Sequence, residues 1–169
     1  MEEQLWEACK DGKVEEVQKL LQSEQINVNW QNKNDYLTTP FYTACWNGHI
    51  EVVKLLLNDD RVDITKADNE SWTPFLIACE RGHIEIAELL LNDNRVDINK
   101  VDNDGCTPFW IACSNGRTEI VKLLLNDKRV DINKANSNTP FLIACYYGKT
   151  EVVKCLLESG REVDLNKKR

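Results

Sequence analysis

The chain has 169 residues, of which 42% are hydrophobic and 29% are charged, and its formal net charge is −7. This length allows one domain or one short repeat array, and the composition is that of a folded chain rather than a disordered one. The acidic balance argues against nucleic acid as a partner, because a negative surface repels the phosphate backbone.

The first residues, MEEQLWEACK, are acidic and lack the apolar core of a signal peptide. No apolar stretch approaches the roughly 20 residues that a membrane span needs, so we expect no membrane partner. These features predict a cytoplasmic protein, with a nuclear location left open. The basic run that closes the sequence, Asn166–Arg169, is expected to be a solvated tail.

A seven-residue stretch recurs four times, at intervals of 34, 34 and 32 residues. A period near 33 residues is typical of stacked units. A modified first copy, LWEACKDGKVEEVQKLL, precedes the other four. We therefore predict one domain over residues 1–169, built from five units at about 1–38, 39–72, 73–106, 107–138 and 139–169. The four copies read TPFYTAC, TPFLIAC, TPFWIAC and TPFLIAC, and they begin at Thr39, Thr73, Thr107 and Thr139.

The third unit shows which helices each copy encodes. Thr73 and Pro74 predict a helix start, because the Thr oxygen accepts a bond from the first turn and Pro has no N–H to leave unpaired. Gly82 predicts the end of this helix after about two turns, in a conformation with positive φ. From Ile84 to Leu91 the apolar residues recur at the spacing of a second helix.

The rest of the third unit predicts a linker and a turn. The letters NDNR end the second helix, with Asn or Asp expected to adopt the left-handed conformation usually given to Gly. Val96-Asp97-Ile98 predicts an extended segment anchored by its two apolar side chains, and Asp102–Gly105 predicts a turn. Neither helix is long enough to be stable alone, so each unit must pack on its neighbours in a solenoid.

These units resemble ankyrin repeats over about residues 4–166. The matching features are the Thr-Pro pair, the Ala of the first helix, the Gly after it, and the leucine run exemplified by Leu55–Leu57. The resemblance implies an all-α ankyrin-repeat solenoid of five helix-turn-helix units joined by hairpin loops. A modified first unit and a shortened, polar last unit would cap its ends, which favours a monomer.

The sequence departs from the family pattern inside the first helix of the unit. Phe replaces a Leu, and Cys replaces the second Ala. The family's His is also replaced, so the hydrogen bonds that this His makes must be absent or supplied by other groups. The residues at its position are Tyr42, Leu76, Trp110 and Leu142.

Five of the seven cysteines follow an Ala at the same register in successive units. A cysteine that recurs once per unit is interpreted as a small buried apolar residue. No two cysteines have the close spacing of a zinc site. We predict reduced thiols, no metal and no cofactor. The recurrent cysteines are Cys9, Cys45, Cys79, Cys113 and Cys145.

The two histidines are the main candidates for catalysis or metal binding. His49 and His83 lie one period apart at the start of the second helix, so stacking could bring them side by side. Arg117 and Lys149 take their place in later units, which favours a structural role for each histidine in its own unit. The recurrent Asp63, Asp97 and Asp131 are interpreted as loop residues. No catalytic set remains, and we predict that the chain is not an enzyme.

Residues that vary between units are the candidates for binding. By resemblance to the family, the pair after Ala-Cys lines a concave groove and the turn residues form hairpin tips, where protein partners bind. The alternative is that the aromatic members fill gaps between units. The predicted groove residues are Trp46, Asn47, Glu80, Arg81, Ser114, Asn115, Tyr146 and Tyr147. The predicted tip residues are Tyr36, Asn69, Glu70, Trp72, Asn103 and Asp104, and the same tip in unit four contains Asn136.

The resemblance and the missing catalytic set predict a non-catalytic module that binds another protein. Glu80 and Arg81 offer charge recognition in a groove that is otherwise polar to acidic, so we expect a partner with basic or amide-rich contacts and apolar anchors. Two alternatives stay open. The chain could be an inhibitor or regulatory subunit of an enzyme such as a kinase, or the ankyrin segment of a larger signalling protein.

Overall fold

The computed structural model describes residues 1–134 and 138–166, and this part of the chain is all-helical. The predictions for Asn136 and Lys167–Arg169 lie outside it. Five hairpins each contain an inner and an outer helix. The inner helices are α1 (Glu2–Lys10), α3 (Pro40–Asn47), α5 (Pro74–Arg81), α7 (Pro108–Asn115) and α9 (Pro140–Tyr146). The outer helices are α2 (Val14–Leu21), α4 (Ile50–Leu57), α6 (Ile84–Leu91), α8 (Thr118–Asn126) and α10 (Thr150–Glu158).

The Thr-Pro pairs start the inner helices as the sequence predicts. In each of the four copies the Thr hydroxyl accepts a hydrogen bond from the backbone N–H three residues later, at 3.1 to 3.3 Å. α3, α5 and α7 then end at glycines, and Gly82, for example, has a φ of +80°. This left-handed conformation lets the chain reverse into the outer helix without the steric cost that a Cβ would bring.

The ends of the outer helices differ from the prediction. Asn58 and Asn92 have φ values of −85° and −89°, so neither adopts the expected left-handed conformation. The next residue supplies a different turn: the Asp59 carboxylate accepts a bond from the Arg61 N–H, and Asp93 does the same for Arg95. A side-chain acceptor two residues before the donor turns the chain without positive φ.

The hairpins stack in series, because each inner helix packs against the inner helix of the next hairpin. Phe41, Phe75 and Phe109 are buried along this stack, and the linker residues Val62 and Ile64 join the same core. Burying an apolar side chain of this size contributes about 1.5–3 kcal/mol. In the part of the chain that the structure describes, no helix is both long enough and apolar enough to cross a bilayer.

The recurrent cysteines are buried in the first four units only. Cys9, Cys45, Cys79 and Cys113 are buried between successive inner helices. Cys145 is exposed, and the prediction that it is buried is wrong. Each of the other four lies on an inner helix against which the inner helix of the following unit packs, whereas no described inner helix follows α9.

Candidate functional site

A cavity of about 470 Å³ opens on the side formed by the inner helices and hairpin tips, across the first three units. We call it the groove cavity. It brings together side chains from three inner helices, α1, α3 and α5, and from the tips, although these lie far apart in sequence. Six of the residues predicted to bind a partner line it, namely Tyr36, Trp46, Asn47, Glu70, Trp72 and Glu80.

Aromatic side chains form much of the wall of the groove cavity. Trp46 is 41% exposed and Trp72 is half-buried, while Tyr42 lies beneath them, fully buried. The rings of Tyr42 and Trp46 are tilted, with centroids 6.2 Å apart. The structure therefore separates two roles: Tyr42 packs inside the stack, and Trp46 presents its ring to solvent.

Arg81 connects the aromatic and charged parts of the site. Its guanidinium lies over the Trp46 ring, 4.0 Å from the centroid, and its Nε lies 3.0 Å from Glu80 Oε2. A guanidinium over an indole face is a favourable cation–π contact. Because Trp46 belongs to unit two while Glu80 and Arg81 belong to unit three, the contact spans the junction between these units.

Asp68 holds the tip of unit two in place and bonds to Tyr42, the residue at the family's His position. Its Oδ2 accepts a bond from the Tyr42 hydroxyl at 3.1 Å, and its Oδ1 accepts from the N–H groups of Glu70 and Trp72. Burial, followed by the nearby Asp68 charge, raises the pKa of Tyr42 well above its usual value. The phenol therefore stays protonated and donates its hydrogen bond at any physiological pH.

Sequence reasoning did not identify Asp68 as a site residue. A signal was present, because Asp68 recurs as Asp102 one period later. Asp102 Oδ1 likewise accepts from the N–H groups of Asp104 and Cys106. An aspartate that organises the tips of units two and three at the same register was visible in the alignment of the units.

The lining of the groove cavity is acidic. It contains four carboxylates and one ammonium group, that of Lys10. Asp35 accepts a hydrogen bond from the Thr38 hydroxyl at 3.1 Å, and Glu80 is paired with Arg81. The site therefore combines apolar ring surface with a surplus of negative charge. The four carboxylates belong to Asp35, Asp68, Glu70 and Glu80.

The tip residues bond to one another from unit to unit. The Asn69 N–H donates to the Tyr36 carbonyl at 3.0 Å, and the Asn103 N–H donates to the Glu70 carbonyl at 3.2 Å. The Ser71 hydroxyl donates to the Asn103 side chain at 2.7 Å. Asn69 and Asn103 were predicted as binding residues, and in the structure they align the tips.

The remaining predicted groove residues lie outside the groove cavity. Asn115 donates its side-chain amide to the Ile111 carbonyl, as Asn47 does to the Thr43 carbonyl, and Ser114 is half-buried. Asp104 is exposed at the tip of unit three.

Tyr146 and Tyr147 form a separate aromatic pair at the end of α9. The Tyr146 side chain is 80% exposed and Tyr147 is 53% exposed, and their rings meet edge to face with centroids 5.1 Å apart. Neither lines the groove cavity. The aromatic residues predicted to line one groove therefore lie in two places. Trp46 lines the groove cavity, and Tyr146 and Tyr147 form an exposed pair in unit five.

Trp110 occupies the family's His position in unit four and, like Tyr42, packs against the core of the stack. Its ring is half-buried, and its indole N–H donates to the Asn138 carbonyl at 2.8 Å. The residue at the family's His position in unit four is thus hydrogen-bonded to the main chain of the hairpin tip.

The histidines join units together rather than acting within one unit. His49 Nε2 lies 2.8 Å from the Lys10 carbonyl, and His83 Nε2 lies 3.1 Å from the Trp46 carbonyl. Arg117 Nε makes the equivalent bond to the Glu80 carbonyl at 2.7 Å. Each histidine therefore has a structural role, as the sequence favours. Its hydrogen-bond partner is a carbonyl at the end of the preceding unit's inner helix and not a group in its own unit.

One comparison with known proteins bears on the chain. A family model described as "Ankyrin repeats (3 copies)" matches residues 5–102 and, in a second match, residues 93–169. The two matches together cover all but the first four residues.

Proposed function

The chain belongs to the ankyrin repeat family, and on that premise we propose that it is a non-catalytic module that binds another protein through the groove cavity and the hairpin tips. Ankyrin repeats are in general protein–protein interaction modules. The observation that carries the proposal is the exposed ring of Trp46 beside a cavity that the tips and inner helices build together.

The chemistry of the groove cavity suits a partner that inserts an apolar or basic side chain. Aromatic groups with one exposed face anchor many protein interfaces, and truncating such an anchor commonly costs 2 kcal/mol or more of binding energy. The surplus of carboxylates favours a lysine or arginine at the rim of the partner's contact surface. An acidic partner would meet repulsion at the same place.

The buried cysteines support a reducing compartment, the cytoplasm or the nucleus. Four of them pack as small apolar residues between inner helices, and burial raises the pKa of the Cys79 thiol far above its usual value. A protonated thiol inside the stack contributes packing rather than reactivity.

An affinity capture with three purified proteins tests the function. Wild type, Trp46→Ala and Ile84→Ala are immobilised, and the retained proteins are identified and quantified. Ile84 is the matched control, because it is 42% exposed but lies on outer helix α6. We expect Trp46→Ala to weaken the affinity for the partner by about 30-fold, with Ile84→Ala binding like wild type.

Partners that all three proteins retain equally would refute binding at the groove cavity. A Tyr146→Ala variant, run alongside, asks whether the exposed tyrosine pair contributes separately. If the partner is an enzyme, assaying its activity with and without the purified chain distinguishes an inhibitor from an adaptor.

A further inference from the structure

Asparagine side chains connect the linkers at three of the four junctions between units. The linker is the segment after each outer helix. Asn99 donates its side-chain N–H to the Arg129 carbonyl at 2.8 Å and accepts from the Asp131 N–H at 2.8 Å. Asn29 and Asn133 make the same pair of bonds to the linkers that follow them. One carboxamide thus joins two neighbouring linkers by two hydrogen bonds.

The junction between units two and three lacks this connection, because Thr65 occupies the asparagine register. A hydroxyl cannot supply a donor and an acceptor with the spacing of a carboxamide. The Thr65 hydroxyl donates instead to Asp63 in its own linker at 2.7 Å. Within residues 1–134 and 138–166, no side chain bridges the Arg95 carbonyl and the Asp97 N–H as the asparagines do elsewhere.

Arginine bonds to the preceding unit are missing at the same junction. Arg129 donates to the Leu91 carbonyl at 2.9 Å. Arg61 and Arg161 likewise donate to main-chain carbonyls of the units before them. In the described part of the chain, Arg95 bonds to Asp93 of its own linker but makes no such bond to unit two.

Two crevices open where these bonds are absent. One, of about 320 Å³, lies between the two linkers and is lined by Ile64, Phe75 and Val96 among others. The second, of about 590 Å³, lies between α4 and α6 on the outer side. Val96 is half-buried, whereas its counterparts Val62 and Val130 are buried. The linker side of this junction is therefore less closely packed than its equivalents.

The opposite side of the same junction is well connected. His83 bonds the Trp46 carbonyl, and Asn103 bonds the Glu70 carbonyl and the Ser71 hydroxyl. α3 and α5 also pack against each other like the other inner helices. The bonds on the inner side would hold while the linker side separates.

We propose that the junction between units two and three is a hinge that opens on its linker side. The groove cavity takes Trp46 and Trp72 from unit two and Glu80 from unit three. Opening the hinge therefore changes the position of Arg81 over the Trp46 ring and lets the cavity adjust to a partner. This adjustment rests on the proposed function, whereas the hinge itself does not.

Hydrogen exchange of equivalent linker amides tests the hinge. The N–H groups of Val62, Val96 and Val130 each donate to an Asp carbonyl within their own linker, at 2.9, 3.1 and 3.2 Å. Differences among them thus report opening of the junction rather than the presence of the bond. We expect the Val96 amide to exchange about tenfold faster than the other two, because its linker lacks the inter-unit hydrogen bonds that hold theirs.

Two reciprocal variants identify the cause. Thr65→Asn should slow exchange at Val96 towards the rate at Val62 and Val130, because the new carboxamide can bridge the linkers although the arginine bond stays absent. Asn99→Thr should speed exchange at Val130 by about tenfold and leave Val96 unchanged. Equal exchange at the three valines of the wild type, or no change at Val96 in folded Thr65→Asn, would overturn the hinge.

The side-chain Nε–H resonance of Arg81 tests the coupling to the groove cavity, because this group lies over the Trp46 ring. We expect its chemical shift to move in Thr65→Asn and to stay in place in Asn99→Thr. A hinge that closes without moving this resonance would refute the coupling alone. Failure of the proposed function would show instead as equal capture of partners by wild type and Trp46→Ala.

Discussion

At the scale of single residues, the neighbouring unit decides what a side chain does. Cys79 and Cys145 stand in the identical sequence TPFLIAC, yet Cys79 is fully buried and Cys145 is exposed. The local sequence gives both residues the same helical position. Only the presence of a covering helix turns that position into core.

This pair allows a matched stability measurement. Replacing Cys79 with Ser puts a hydroxyl into an apolar site. This change should lower the free energy of unfolding by about 1–3 kcal/mol, because the hydroxyl loses its hydrogen bonds to water. Cys145→Ser should change it by less than about 0.5 kcal/mol, because the side chain is already exposed to water. Urea denaturation followed by circular dichroism measures both. Equal losses in the two variants would show that burial does not distinguish the two positions.

The bond between Tyr42 and Asp68 makes a second prediction. Tyr42→Phe removes the donor to Asp68 while keeping the buried ring, so unfolding should become easier by about 1 kcal/mol. Tyr146→Phe serves as control, because that ring is exposed and its loss of a hydroxyl should have no measurable effect. Thermal melts of both variants measure the change in stability. A Tyr42→Phe protein as stable as wild type would show that the Tyr42–Asp68 hydrogen bond does not stabilise the fold.

At the scale of the elements, the linkers use one local turn and several different connections to the preceding unit. In units two, three and four the linker begins with an Asp–Arg pair in which the arginine hydrogen bond holds the pKa of the carboxyl below its usual value of 3.8, as for Asp93 and Asp127. A lowered native pKa contributes stability above pH 3.8, and this contribution is lost as the pH falls below that value. The Asp–Arg pairs have the same geometry within their linkers. The units differ in whether the arginine also donates a hydrogen bond to a carbonyl of the preceding unit.

Arg129 and Arg95 isolate that difference. Arg129→Ala removes the bond to the Leu91 carbonyl, whereas Arg95→Ala removes only the pairing within its linker. We expect Arg129→Ala to lower the melting temperature more than Arg95→Ala at pH 7. At pH 3 the effect of Arg95→Ala should shrink, because the stability that the lowered pKa of Asp93 contributes is lost as the pH falls below 3.8, while part of the Arg129→Ala effect should persist. Equal effects at pH 7 would argue against the inter-unit bond.

At the scale of the whole molecule, the two ends of the stack differ. Unit one has Glu3, Gln4 and Glu7 exposed on α1, where unit two has buried residues such as Pro40 and Thr43. The last unit, which the sequence predicts to be a polar cap, instead leaves large apolar side chains exposed, with Leu157 61% exposed and Leu165 50% exposed. The N-terminal face is therefore polar, and the C-terminal face is more apolar.

Because cohesion in a solenoid comes from nearest neighbours, the last unit should open first. Amides of α10 are expected to exchange at least about tenfold faster than those of α6, which has a packed unit on each side. Native-state hydrogen exchange measures this directly. Slower exchange in α10 than in α6 would mean that another contact covers the C-terminal face.

The oligomeric state stays a prediction from the sequence. We expect a monomer of 19.5 kDa in sedimentation experiments. A dimer that Leu165→Lys converts to monomer would contradict this expectation and would identify the C-terminal face as the contact.

The sequence by itself determined the features that are local and periodic. Thr73 at a helix start, Gly82 at a helix end and the leucine run of each outer helix act through bonds and spacings within one unit, so a single chain displays them in unit after unit. The family and the all-helical stack follow from that repetition. They could be predicted because each choice depends only on nearby residues.

Tertiary structure decided everything that depends on the adjacent unit. It placed Trp46 against Arg81 and left Tyr146 apart from the groove cavity. It also left Cys145 exposed and the Thr65 junction without its carboxamide bridge. These outcomes concern residues about 30 positions apart or more, or a helix that is present or missing beside them, and no pattern within one unit specifies the packing between two.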